Sequence, residues 1–173
     1  MSRQLLVASF LLAALALPLR ASAQISDDRL ATAVITAVRG YSSLSIFDDV
    51  TVNVSDRAVT LSGAVTAPYK RDEIGARVAK IDGARSVTNN IHVLPVSSSD
   101  ASLRIRIAQA IYTNPAFWQY AAMACPPIHI IVEHGHVELT GVVNNETERT
   151  LAYALAQVDG VMSVKNDLKR DVK

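Results

Sequence analysis

Cysteine is nearly absent from this chain of 173 residues, with Cys125 standing alone. One thiol excludes an intrachain disulfide framework and any multi-cysteine zinc site. A surplus of either charge is absent too, since 17 basic residues face 16 acidic ones. That balance excludes the broad basic surface on which nucleic-acid binders depend, so no nucleic-acid partner is expected. No apolar run is long enough to span a bilayer except one at the N-terminus. There is no Gly-rich phosphate loop, paired-carboxylate motif or Ser/His/Asp pattern, so no enzyme and no cofactor are expected. Aromatic residues make up only 5% of the chain, which makes any place where they gather informative. What is present is a globular composition: half the residues are hydrophobic and 19% are charged. The length suits one domain or two small ones.

The first residues read as an address. Arg3 precedes an apolar stretch from Leu5 to Leu17, Pro18 breaks it, and Ala21-Ser22-Ala23 gives the small-x-small pattern of a cleavage site. This predicts a cleavable secretory leader over residues 1–23 and a periplasmic or extracellular mature protein. No cysteine follows the apolar stretch, so no lipid anchor is expected. Without Arg3 and Arg20, 15 basic residues remain against 16 acidic ones, a net charge of −1. Attraction to an anionic surface must then come from a local patch.

The rest of the chain is one unit written twice. Val59-Thr60-Leu61-Ser62-Gly63-Ala64-Val65 returns, at an offset of 78, as Val137-Glu138-Leu139-Thr140-Gly141-Val142-Val143. Asp82-Gly83-Ala84-Arg85-Ser86-Val87-Thr88-Asn89 returns at an offset of 77, from Asp159-Gly160 to Asn166. Between these blocks, Ile74, Val78 and Ile81 map at 77 onto Leu151, Leu155 and Val158. Three blocks in one order make a tandem repeat. Each copy opens with a helix, marked by Leu30-Val34-Val38 and by Leu103-Ile107-Ile111 at four-residue spacing. Asp27 or Asp28 is expected to cap the first of these, and Asp100 or Ser102 the second. Alternation then predicts a hairpin in each copy, turning at Ser55-Asp56-Arg57-Ala58 and at Glu133-His134-Gly135-His136. A second helix follows, starting near Pro68 and near Glu146 and ending at the Asp-Gly pairs. One last strand carries Ile91 and Val93, or Val164 and Leu168. The expected fold is α+β: two tandem α-β-β-α-β units, each a three-stranded mixed sheet with two helices on one face. The expected boundaries are 27–95 and 100–170, with a linker at 96–99.

This element order, the V-x-L-x-G-x-V strand, the Asp-Gly turn and the V-x-N-x-(I/L) ending resemble the BON domain family, twice over. A leader followed by two such units is similar to the periplasmic dual-BON proteins of Gram-negative bacteria. The resemblance implies a non-enzymatic envelope protein linked to osmotic or envelope stress, outer-membrane integrity and binding of anionic phospholipid. It also implies an alternative, a protein-binding adapter or chaperone-like module, because such units serve as contact modules elsewhere. The chain departs from the lipid-anchored members in lacking an N-terminal cysteine. The expected partner is therefore an anionic phospholipid membrane surface or an envelope protein.

Copy two has one irregularity. The path from Leu30 to Val52 in copy one corresponds to a path from Leu103 to Ile130 in copy two that is longer by five. The extra five fall within Asn114–Pro127, which holds the only tryptophan and the only cysteine and carries no charge. An uncharged aromatic run suits a bilayer interface or a protein hot spot. The same run could instead fill the second core or the seam between copies. Tyr112, Phe117, Trp118, Tyr120 and Met123 are the candidate lipid- or partner-binding residues, with Arg104 and Arg106 as phosphate contacts. The resemblance implies lipid contact in this same part of the second unit. His129, His134 and His136 lie near Cys125 and Glu138, but strand alternation spreads them, so no metal site is expected. Cys125 is read either as a thiol free for an intermolecular disulfide or as a buried inert one.

Overall fold

The structure is a computed structural model, and it describes residues 26–171. The expected leader over residues 1–23 lies outside them. The first unit runs α1 (Asp27–Arg39), β1 (Asp49–Ser55), β2 (Ala58–Val65), α2 (Pro68–Val78), β3 (Ser86–Asn89) and β4 (His92–Val93). The second runs α3 (Ser98–Tyr112), a short 3-10 turn (Pro115–Phe117), α4 (Trp118–Ala121), β5 (Ile128–Glu133), β6 (His136–Val143), α5 (Glu146–Leu155), β7 (Ser163–Asn166) and β8 (Lys169–Arg170). In each unit the hairpin is antiparallel and the last chain segment pairs parallel to its second strand. The architecture is α+β in two like units. The final strand is not one piece: β3 and β4 lie along the same edge of β2, as β7 and β8 lie along β6. α3 begins at Ser98, two residues before the expected boundary.

Each opening helix buries the stripe its periodicity predicts, Leu30, Val34 and Val38 in α1 and Leu103, Ile107 and Ile111 in α3. The capping expectation fails in an informative way. Ser97 caps α3 by accepting from Asp100 N–H, and Ser26 precedes α1 without a side-chain cap bond. Asp27 and Asp100 serve the hairpins instead. Asp27 accepts from the N–H groups of Asp56 (2.7 Å) and Arg57 (2.9 Å), and Asp100 from those of His134 and Gly135 (both 2.9 Å). Both turn residues in each hairpin have positive φ, which turns their amides out of the ladder and leaves them needing an acceptor.

The motif glycine has a steric cause. Gly63 and Gly141 sit at φ +107° and +108°, and a Cβ there would lie 2.2 Å from Asp49 O and 1.8 Å from Pro127 O. The motif asparagine is a clip. Asn89 donates to Arg71 O and accepts from Ile91 N–H, and Asn166 does the same with Arg149 O and Leu168 N–H. It ties the broken last strand to the second helix of its unit. The Asp-Gly pairs do not end helices. α2 stops at Val78 and α5 at Leu155, and Gly83 and Gly160 take positive φ in the turns beyond.

The helix register also differs from expectation. α2 buries Ile74 and Val78, and their counterparts fully buried in the second unit are Ala152 and Ala156, an offset of 78. Leu151 and Leu155 lie at the margin of the core. The repeat therefore keeps the hairpin offset through the helix and drops one residue only afterwards.

Asp48 is fully buried and accepts from Ser45 N–H, Ser45 Oγ, Thr66 N–H, Thr66 Oγ1 and the Lys70 ammonium at 2.6 Å. Burial works to raise this carboxyl. The bonds from Lys70, Thr66 and Ser45 outweigh it and hold the group below its ordinary 3.8. Asp100 is also held low, because the Gly135 and His134 amides overcome its desolvation. A carboxyl lowered by folding stabilises above its unfolded pKa and loses that stabilisation as pH falls through the folded value. Unfolding free energy measured in urea should stay level down to about pH 5 and decline below about pH 4, and Asp48→Asn should flatten part of the decline. Asp48→Ala strands a buried ammonium and should cost about 3–5 kcal/mol, which circular dichroism would register as loss of the first unit.

Candidate functional site

The uncharged segment after α3 is built around a split between buried and exposed rings. Asn114 Oδ1 accepts from Ala116 N–H, and Pro115 opens the short turn where no donor is lost. This turn drives Phe117 inward, where it is fully buried, and Tyr120 follows it at 3% exposure. Their ring centroids lie 6.0 Å apart at a tilt of 34°. Both join the cluster containing Ala152 and Ala156. Where the first unit has Ile74 and Val78, the second has two alanines, and the inserted aromatics supply the missing volume.

The Tyr120 hydroxyl donates to Glu148 and accepts from Asn144 N–H at 2.9 Å. Burial and the Glu148 carboxylate push this phenol up to about 12. Glu148 and Asn144 correspond to Lys70 and Thr66 at the same offset of 78. The first unit thus places an acid in the loop and a cation on its second helix, and the second places an acid on that helix and a phenol on the short α4.

Two other candidates are also committed to the fold. Arg104 is buried and its Nη2 donates to Val132 O, leaving Nε without a partner. Desolvation pulls its guanidinium below the ordinary value, opposed by Asp100, Asp48 and Glu133. Tyr112 is half-buried and donates to Ile128 O at 2.6 Å, and burial raises its pKa. Arg106 is exposed and donates to Asp159 O at 2.8 Å. Trp118 and Met123 remain at the surface, 62% and 47% exposed. The indole N–H of Trp118 bonds Thr113 O at 3.2 Å, which fixes the ring against the end of α3. Ala121, Ala122, Ala124 and Cys125 are exposed beside them. Cys125 is therefore not a buried thiol.

Sequence reasoning misses the exposed alanines, because alanine carries no chemistry of its own. Their only signal is a position in a run without charge. The histidines lie apart, with His136 bonded to Ser163 Oγ at 2.7 Å and His134 in its turn. Among the described residues no three of His, Cys, Asp and Glu are grouped to hold a metal ion, and no helix is long and apolar enough to cross a membrane. A cleft of about 980 Å³ lies between the units, lined by Thr51, Ser62 and His92 on one side and by Ile131, Glu138 and Thr140 on the other.

Residues 26–95 and 99–171 each match the family model of the BON domain. The chain is 32% identical over 148 residues to Osmotically-inducible protein Y of Escherichia coli (strain K12), covering 83% of this chain and 72% of that protein. It is also similar to two structures of CdsD, a structural protein of the Type III secretion system of Chlamydia trachomatis. One is of the C-terminal domain, with 15% identity, coverage of 86% of this chain and 100% of that one, and a TM-score of 0.30. The other has 16% identity, coverage of 80% and 93%, and a TM-score of 0.28.

The split between rings makes opposite predictions for neighbouring residues. Phe117→Ala should cost about 3–5 kcal/mol in urea unfolding, because it empties a core position faced by alanines. Trp118→Ala should change it by less than about 0.5 kcal/mol, and acrylamide should quench the Trp118 emission readily.

Proposed function

The chain belongs to the BON domain family, and from that membership we propose that it is a non-enzymatic, exported envelope protein that associates peripherally with anionic phospholipid. The name of its relative in Escherichia coli supports a role under osmotic stress, and we assign this chain to envelope integrity under such stress. The observation that carries the lipid reading is Trp118. It is a large ring, mostly exposed, in the uncharged stretch from Asn114 to Pro127 and beside an exposed methionine. An indole anchored through its N–H, with its apolar body outward, matches the needs of the headgroup boundary. Arg106 is the guanidinium available to a phosphate. Arg104 is held by Val132 O, and Phe117 and Tyr120 belong to the core. With a net charge of −1 after processing, binding should be weak, local and sensitive to salt.

The test is flotation of the processed chain, from Gln24, with neutral and anionic vesicles. Co-flotation with anionic vesicles alone, a blue shift of Trp118 emission, and loss of both in Trp118→Ala or high salt are expected. An unshifted spectrum at low salt with no flotation would overturn the reading.

A further inference from the structure

The two hairpins expose their outer edges differently. In β5 one outward edge group is bonded at each of three alternate residues. Ile128 O accepts from the Tyr112 hydroxyl, Ile130 N–H donates to Ile46 O at 2.7 Å, and Val132 O accepts from Arg104. The middle bond comes from the first unit. Its loop between α1 and β1 reaches over, and Ile46 and Phe47 pack against the second core. Ile128, Ile130 and Val132 are fully buried as a result.

In β1 the matching residues are Val50, Val52 and Val54, and each is only partly buried. Leu61, the partner of Val52, directs its carbonyl away from β1, to Asn90 N–H. Val52 is therefore in a non-hydrogen-bonded pair, and its own N–H and C=O point outward. The α1 positions that match Tyr112 and Arg104 are Arg39 and Ala31, and neither bonds β1 among the described residues. The strand Asp-Val-Thr-Val-Asn-Val-Ser contains no proline and no lysine, the usual guards of an edge.

The piece that covers such an edge recurs without an edge to cover. Ile46 lies six residues before Val52, and Ala124 lies six before Ile130. Gly63 meets Asp49 O as Gly141 meets Pro127 O, so the correspondence holds up to the loop. Ile46 and Phe47 are partly buried, whereas the five residues from Ala121 to Cys125 are all exposed. No strand among the described residues lies against that loop as β5 lies against Ile46.

We propose that two copies of this protein associate head to tail: the Ala121–Cys125 loop of one docks on the β1 edge of the next, with Val52 N–H donating to Ala124 O. This repeats between molecules the contact the chain already makes within itself. The contact is heterologous, so each added copy presents a free loop and a free edge, and assembly continues past the dimer. The inference concerns a contact between proteins and does not rest on the lipid reading.

Sedimentation velocity without lipid tests it, using the processed chain over a wide concentration range. The average mass should rise with concentration beyond twice the monomer. Val52→Pro removes the outward N–H and leaves the ladder to β2 intact, and Ala124→Asp puts a charge on the loop. Each variant alone should stay monomeric. Mixed, they should form a species of two chains and nothing larger, because one sound edge meets one sound loop. Should Val52→Pro fail to fold by circular dichroism, Asn53→Lys on the same strand takes its place. A wild-type chain that is monomeric throughout overturns the proposal. So does an Ala124→Asp variant that pairs as well as wild type, which would mean edge-to-edge pairing of β1 with β1.

Discussion

Asp48 receives five hydrogen bonds with no exposure to water, and the loop before β1 owes its shape to them. Two come from Ser45 in that loop, two from Thr66 at the end of β2, and one from Lys70 on α2. A carboxylate removed from water needs this degree of satisfaction to be tolerated at all. Once it is in place, Ile46 is held where its carbonyl meets Ile130 of the second unit. The bond across the seam and the middle contact on the β5 edge thus depend on one polar centre in the first unit, while Tyr112 and Arg104 cover the rest of that edge from within the second. His92, exposed, and Glu133, partly buried, lie 3.1 Å apart and add only a solvated contact across the same seam.

The two units solve the same structural problem with different groups. The junction of loop, second strand and second helix needs an anion, because a backbone N–H at Thr66 or Asn144 points into it. In one unit the anion is Asp48, countered by Lys70. In the other it is Glu148, met by the neutral Tyr120 hydroxyl. The neutral version avoids desolvating a second charge. It requires the phenol ring to be brought in from outside the repeat, which is the structural use of the extra five residues.

The repeat, the hairpins and the buried stripes of α1 and α3 were legible because each is a local periodicity. The helix register in the second unit was not. Leu151 and Leu155 look like the natural heirs of Ile74 and Val78, and only a ring arriving from far upstream makes Ala152 and Ala156 the buried pair. The offset of 78, already visible in the hairpin, was the available clue. The aromatic segment stands out in the sequence, but a run of aromatics does not say which rings turn inward. That depends on Pro115 and Asn114 setting a short turn, and on vacant volume elsewhere. Arg104 escaped for a related reason: a helix wheel shows its neighbours on α3, not the strand carbonyl it reaches. The roles of Asp27 and Asp100 were hidden because a helix-start aspartate reads as a cap whether or not it reaches across to a turn.

The exchange of bulk between Phe117 with Tyr120 and Ala152 with Ala156 has a consequence at the level of the gene. Two tandem copies of similar sequence invite recombination, which would join the front of one unit to the back of the other. A front half with the inserted rings joined to Ile74 and Val78 would be overfilled, and the reciprocal joint would leave a hole lined by alanines. Either product is penalised in its core when the crossover falls between the aromatic segment and the second helix. The divergence of the two cores thus disfavours exchange between the copies across that interval.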